Sequence, residues 1–139
     1  RTEDNIIIQT KNENDSVIVG IKSGNLMPFV REELEDRKNL LYPPFKRFIK
    51  IIHVGDKEET TRARKILTEI LSEYSPEIFS GFVSRLQGKY VTNALIKIDT
   101  KDWSLPEILL GAHINKTLFQ KLTSLGAPFE IFVDPEDLL

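Results

Sequence analysis

Cysteine is absent from the 139 residues. Its absence removes disulfides, thiolate nucleophiles and cysteine-based zinc sites together, and suits a reducing compartment. No apolar run approaches the roughly 20 residues that a helix needs to cross a bilayer. The N-terminus has no basic stretch followed by an apolar one, the mark of a secretion signal. A soluble, cytoplasmic protein without a membrane partner is therefore expected. There is no Gly-x-x-x-x-Gly-Lys-Ser/Thr loop, so the backbone cradle and lysine that hold ATP phosphates are missing, and the chain by itself is not expected to be an enzyme. His53 and His113 stand apart from other ligand candidates and read as structural histidines, with no cofactor or metal site implied. Ser80 and Ser84 have neither a histidine nearby in sequence nor a strained Gly-x-Ser-x-Gly turn, so no nucleophile is expected. Asp134, Glu136 and Asp137 follow the last apolar run and read as a helix cap and a solvated end rather than a cation site. The one tryptophan, Trp103, reads as core cover, with a stacking platform as the alternative.

What is present suffices for a folded unit: 40% of the residues are hydrophobic, enough to bury a core in a chain of single-domain size. The formal net charge of −2 conceals an asymmetry. Ten basic residues face six acidic ones between Lys46 and Lys97, whereas three face seven from Ile98 onward. Such a split can orient a weak nucleic-acid partner toward one face, or reflect ordinary solvated surfaces. The chain starts at Arg1 without Met, inside what reads as the approach to a strand, so a piece of a longer protein is expected.

Asn5 to Thr10 is a β-branched run suited to a strand whose sheet partners would lie upstream. Asp15-Ser16 and Asn25 are candidate helix caps, with Pro28 in the first turn of the second helix. That charged helix runs into the double proline of Tyr42-Pro43-Pro44-Phe45. Two prolines fix φ and remove two donors, so the chain is expected to leave the helix extended and enter a strand at this hinge. A domain seam follows, with residues 1–40 before it and 41–139 after it.

Beyond the seam the periodicities predict a strand from Phe45 to Val54 and a helix from Lys57 to Tyr74. Ala63, Ile66, Leu67, Ile70, Leu71 and Tyr74 give that helix one apolar face. Ile78 to Leu86 and Lys89 to Ile98 read as a hairpin turning at Gln87-Gly88, followed by a second helical stretch between Leu105 and Leu125 and a closing strand from Phe129 to Val133. The order β-α-β-β-α-β predicts an α+β fold of ferredoxin-like, split βαβ type: a four-stranded, mainly antiparallel sheet with two helices on one side.

Several short segments, in order, resemble one family. Ile6-Ile7-Ile8-Gln9-Thr10, then Asn12 and Asn14, is similar to a strand that closes a motor lobe. Leu41-Tyr42-Pro43-Pro44-Phe45 is similar to a Leu-Gly-Tyr-Pro-Pro-Phe element, with Leu41 where glycine is usual. Arg85-Leu86-Gln87-Gly88-Lys89-Tyr90 resembles an Arg-Leu-x-Gly-Arg/Lys-Tyr hairpin, and Phe132-Val133-Asp134-Pro135 a terminal Val-Asp-Pro. Together they resemble the C-terminal part of the primosomal protein N′ (PriA) replication-restart helicases. The resemblance implies that residues 1–40 are the end of a RecA-like second helicase lobe and 41–139 a PriA-type C-terminal domain. It further implies a parent 3′→5′ DNA helicase using ATP, Mg and Zn, with forked or single-stranded DNA, the helicase lobes and single-stranded-DNA-binding protein as partners. The stretch Asp99 to Trp103 is more acidic than in relatives and is not assigned to that last partner.

For DNA contact the candidates are Arg85, Lys89 and Tyr90, two cations and a ring about a tight hairpin, and Lys46 and Arg47 after the prolines. The hairpin continues as Val91-Thr92-Asn93 where many relatives carry Arg-x-Trp-Gln. Lys57, Arg62, Arg64 and Lys65 read as i,i+4 partners of Glu58 and Glu69 rather than as phosphate contacts. The alternatives are a protein-interaction or scaffold domain with no direct DNA contact, and a small-molecule regulatory domain of the same fold.

Overall fold

The computed structural model describes the backbone of residues 7–86, 88–104 and 114–138, and their side chains except those of 82–86. The chain divides into two compact units, residues 1–39 and 40–139. In the first, the Asp15 carboxylate accepts from Val17 N at 3.0 Å and starts α1 (Ser16–Ser23). Gly24, at φ 68°, stops it in the left-handed conformation that costs glycine least. Asn25 Oδ1 accepts from Met27 N at 3.1 Å at the start of α2 (Met27–Asn39). Ile7 to Thr10, the described part of the expected first strand, has no regular structure. Among the described residues no strand pairs with this β-branched run.

In the second unit the prolines do not send the chain out extended. Phe45 N and Lys46 N both donate to the Tyr42 carbonyl, at 3.0 and 3.2 Å, so the chain turns tightly around Pro43 and Pro44. The turn brings Tyr42 back against Phe48, ring centroids 5.3 Å apart and edge to face. The Lys97 ammonium lies 5.1 Å from the Tyr42 centroid and 5.8 Å from that of Phe48. Packing of these three side chains rewards the turn, which an extended exit would forgo.

From there the elements are β1 (Lys46–Gly55), α3 (Lys57–Ile70), β2 (Glu77–Leu86), β3 (Lys89–Asp99), α4 (Lys116–Leu125) and β4 (Phe129–Val133). The sheet order is β2-β3-β1-β4 with every neighbouring pair antiparallel, the ferredoxin-like arrangement. β1 is central: Ile51 lies opposite Ala94 of β3 and Ile131 of β4. Alternation along the pleat turns Ile49 and Ile51 toward the helices. There they join Ala94, Ile96 and Ile98 of β3, Leu67 of α3 with Leu71 just beyond it, and Leu118, Leu122 and Leu125 of α4 in one buried cluster. α3 starts on a capping box, in which Glu59 N donates to Asp56 Oδ1 and Asp56 N to Glu59 Oε2, both at 2.8 Å.

Three expectations need correction. α3 ends at Ile70 rather than Tyr74, because the chain tightens into a 3-10 turn over Ser72–Tyr74 before Ser75 and Pro76. Of the second helical stretch, Lys116–Leu125 is a helix capped by Asn115, whose Oδ1 accepts from Leu118 N at 3.0 Å; residues 105–113, including His113, lie outside the described residues. Among the described residues no helix follows β4, and Asp134 caps none. Its N–H donates instead to the Phe48 carbonyl at 2.8 Å, continuing the β1–β4 ladder. Trp103 packs on the core, as core cover requires.

Leu41 sits at φ 57°, in the left-handed region, with its side chain about half exposed. For a residue with a Cβ that conformation costs on the order of 1–2 kcal/mol, part of which glycine forfeits through its larger chain entropy. Leu41→Gly is therefore expected to raise the stability of residues 40–139 by up to about 1 kcal/mol in urea unfolding. A lowered midpoint would mean that the leucine side chain contributes more than its backbone costs.

Candidate nucleic-acid interface

The five candidate residues fall at two opposite ends of β1. At its start stand Lys46 and Arg47. Lys46 pairs in register with Asp99 of β3, and its Nζ lies 2.7 Å from Asp99 Oδ1. The hydrogen bond from Lys46 and its charge, with a smaller contribution from Lys101, hold the Asp99 carboxyl below the ordinary carboxylate range. Arg47 is only 8% exposed, and its Nη1 lies 2.7 Å from Asp134 Oδ2. Lys50 Nζ donates to the Asp137 carbonyl at 3.0 Å. Lys97 is 2.9 Å from Glu77 and Lys121 is 2.7 Å from Glu73. At this end the cations are matched by carboxylates and carbonyls.

At the other end Gly55 of β1 lies opposite Tyr90, which also pairs with Arg85 across the hairpin, while Leu86 pairs with Lys89. The structure thus brings the Arg85, Lys89 and Tyr90 backbones together; the Arg85 side chain lies outside the described residues. Gly88 makes the turn at φ 84°. Lys89 is exposed and makes no ion pair among the described residues, whereas Tyr90 is partly buried and already engaged. The β2–β3 register shifts between Ser80 and Arg85. Gly81 adjoins the shift, where a Cβ would meet Val91 Cγ1 at 3.1 Å. A larger residue there would make Val91 give by a few tenths of an ångström.

The basic face of α3 divides as well. Arg64 donates to Ser80 Oγ at 2.9 Å, and Lys65 lies 4.0 Å from Glu69, the expected i,i+4 pairing. Lys57 and Arg62, read from the sequence as ion-paired, make no ion pair among the described residues; Glu59 is held by the capping box. Spacing alone permits an i,i+4 pair of Glu58 with Arg62, and only the folded chain shows that it is not made among the described residues.

His53 lies between these ends on the helix-facing side of β1, 3% exposed, with its ring centroid 5.1 Å from that of Phe129. Its Nδ1 has no hydrogen-bond partner. Burial lowers its pKa below 6.5, against a weaker opposing pull from the Glu59 carboxylate. No cluster of His, Asp and Glu suited to a metal ion occurs among the described residues, and no described helix is long and apolar enough to cross a membrane.

Two consequences can be measured. Because the folded imidazole resists protonation, the unfolded chain takes up the proton first as pH falls through 6.5, and stability present above that value is lost toward the lower folded pKa. His53→Gln should flatten this part of the stability-against-pH curve; an equal slope in both proteins would exclude His53 as its origin. Arg47→Ala should cost about 1–3 kcal/mol, since it strands a partner of a mostly buried pair whose carboxylate is partly solvated. Lys46→Ala should cost less than about 1 kcal/mol by the same urea titration.

No family model matches the chain. It is 32% identical over 125 residues to the replication restart protein PriA of Borreliella burgdorferi, an alignment covering 83% of this chain and 18% of that protein. It is 29% identical over 136 residues to the replication restart protein PriA of Thermotoga maritima, covering 95% of this chain and 17% of that protein. The chain spans less than a fifth of the length of these relatives. Over most of its length, then, this chain is related to one segment of the replication restart proteins PriA.

Proposed function

We propose that the chain is the C-terminal, non-catalytic part of a PriA-type ATP-dependent 3′→5′ DNA helicase that acts in the cytoplasm in replication restart. On this reading residues 1–40 end the second helicase lobe and 41–139 form the C-terminal domain. ATP, Mg and Zn are held by other parts of such a helicase, and single-stranded-DNA-binding protein is a partner of the assembly. The domain touches the backbone of forked or single-stranded DNA with its hairpin end and docks on the helicase lobes.

The observation that carries this reading is the contrast between the two ends of β1. Lys46 and Arg47 are matched by Asp99 and Asp134, so they serve the sheet first. Lys89 is exposed without an ion pair among the described residues, beside Tyr90 and across from the Arg85 backbone. An unmatched cation at a tight turn can neutralise a phosphate without first breaking a contact, whereas Tyr90 would have to leave its present contact to stack on a base. Such contacts position DNA without reading its sequence.

A second reading, a protein-interaction domain with no direct DNA contact, draws on the neutralised Lys46 and Arg47. Fluorescence anisotropy with a forked duplex across a salt series separates the two. Arg85→Ala and Lys89→Ala are each expected to lower the slope of log affinity against log salt by about one, with Lys46→Ala leaving it unchanged. Affinity independent of salt, or capture of the helicase lobes without any DNA binding, would favour the second reading.

A further inference from the structure

Helix α3 carries its charge on two stripes of unlike character. Lys57, Thr61, Arg64 and Thr68 follow one another at four- and three-residue spacing and form one stripe; Glu58, Arg62, Lys65 and Glu69 form the next at the same spacing. The second stripe mixes signs and contains the Lys65–Glu69 contact at 4.0 Å. The first has two cations and no acid. Its threonines add no charge, and their hydroxyls are turned back on the helix: Thr61 Oγ1 donates to the Lys57 carbonyl and Thr68 Oγ1 to the Arg64 carbonyl, both at 2.8 Å.

The fold places the acid-free stripe beside the hairpin. Arg64 Nη2 donates to Ser80 Oγ of β2 at 2.9 Å, which turns this flank of the helix toward the β2 edge of the sheet and away from β4. Lys57 stands two residues after Gly55, the residue opposite Tyr90, so the stripe starts at the same end of the sheet as Lys89. Arg64 follows seven residues later, about 10 Å along the helix axis. The Ser80 hydroxyl is neutral, so it fixes the guanidinium without cancelling its charge, and a guanidinium has further N–H donors to offer. Lys57 is exposed and Arg64 partly so, and like Lys89 neither makes an ion pair among the described residues. The acids beside Lys57 in sequence are placed elsewhere: Asp56 accepts from Glu59 N at the helix end, and Glu58 stands on the mixed stripe.

We propose that the stripe of Lys57 and Arg64 is part of a nucleic-acid interface, in which the sugar–phosphate backbone of one strand passes from the hairpin tip along this flank of α3, with phosphates on Lys89, Lys57 and Arg64. The inference rests on the DNA reading above and carries it from the hairpin to the helix. A row of cations that no carboxylate neutralises is matched by a polyanion whose charges recur at regular intervals. At about 3.4 Å per phosphate along one strand, the span from Lys57 to Arg64 covers about three nucleotide steps. The mixed stripe offers no such row, because Glu58 and Glu69 would repel the same phosphates.

Fluorescence anisotropy of the whole chain with a forked duplex, followed across a salt series, tests this. Lys57→Ala and Arg64→Ala should each lower the slope of log affinity against log salt by about one, and the double substitution by about two. Arg64→Lys keeps the charge and loses the fork that reaches Ser80; it should keep the slope, which a purely structural role for Arg64 would not predict. Arg62→Ala with Lys65→Ala removes the same charge from the mixed stripe and should leave the slope unchanged. Circular dichroism checks that each variant folds, and if Arg64→Ala does not, Lys57→Ala and Arg64→Lys decide. Slopes unchanged by the Lys57 and Arg64 substitutions but lowered by Lys89→Ala would overturn this inference and leave the hairpin reading standing. A wild-type affinity independent of salt would overturn both. Equal losses from the two stripes, or displacement of the DNA by polyglutamate as readily as by unlabelled duplex at equal charge, would overturn it in favour of net charge alone or of an acidic protein partner.

Discussion

The two-sided pairing of β1 governs residues 40–139. A strand bonded on both flanks has no freedom to slip, because a shift of one residue would turn Ile49 and Ile51 away from the helices and Phe48 and Lys50 toward them. Both isoleucines are fully buried, so that exchange is costly. With the register held, Lys46 must meet Asp99 and Gly55 must meet Tyr90. The charge arrangement at each end of the sheet is therefore a result of packing in its middle.

Much of the fold was legible because its signals are local. The apolar spacing from Ala63 to Leu71, the turn at Gly88 and the apolar run from Phe129 to Val133 each specify an element without reference to distant chain; Gln87, the other residue of the expected turn, lies outside the described residues. Misread features depended on remote partners. The turn at Tyr42-Pro43-Pro44-Phe45 is rewarded by Phe48 and by Lys97, the latter a residue from another strand. Asp134 was read as a helix cap because its neighbours are acidic and follow a strand, yet its partner is Arg47, 87 residues earlier. Trp103 was legible as core cover, since a single large ring between short polar residues has few other places to go.

The candidate site shows the same division. Residues of the hairpin were placed together by their spacing, and the backbone register agrees with it. Which cations remain unmatched could not be read in advance, because Lys46 finds its carboxylate 53 residues away. The ferredoxin-like order read from the sequence makes the strands of Lys46 and Asp99 neighbours, but an order of strands fixes no register, and the third strand was read as ending at Ile98, one residue short of Asp99. Charge counts along a sequence describe supply; the fold decides how much of it is spent internally.

Gly55 is a junction with mechanical meaning. It is bonded through the ladder to Tyr90, and the next residue is Asp56, which closes the α3 capping box. A Cβ at Gly55 would come within 2.7 Å of both the Glu59 carboxylate and the His53 ring, so strand, helix end and imidazole crowd onto one bare backbone carbon. The hairpin strand is thus joined to the first turn of α3 through one ladder pairing and one peptide bond, so a pull on the tip reaches the helix as soon as that pairing is loaded. The domain is built so that a tug on its tip is felt in its frame.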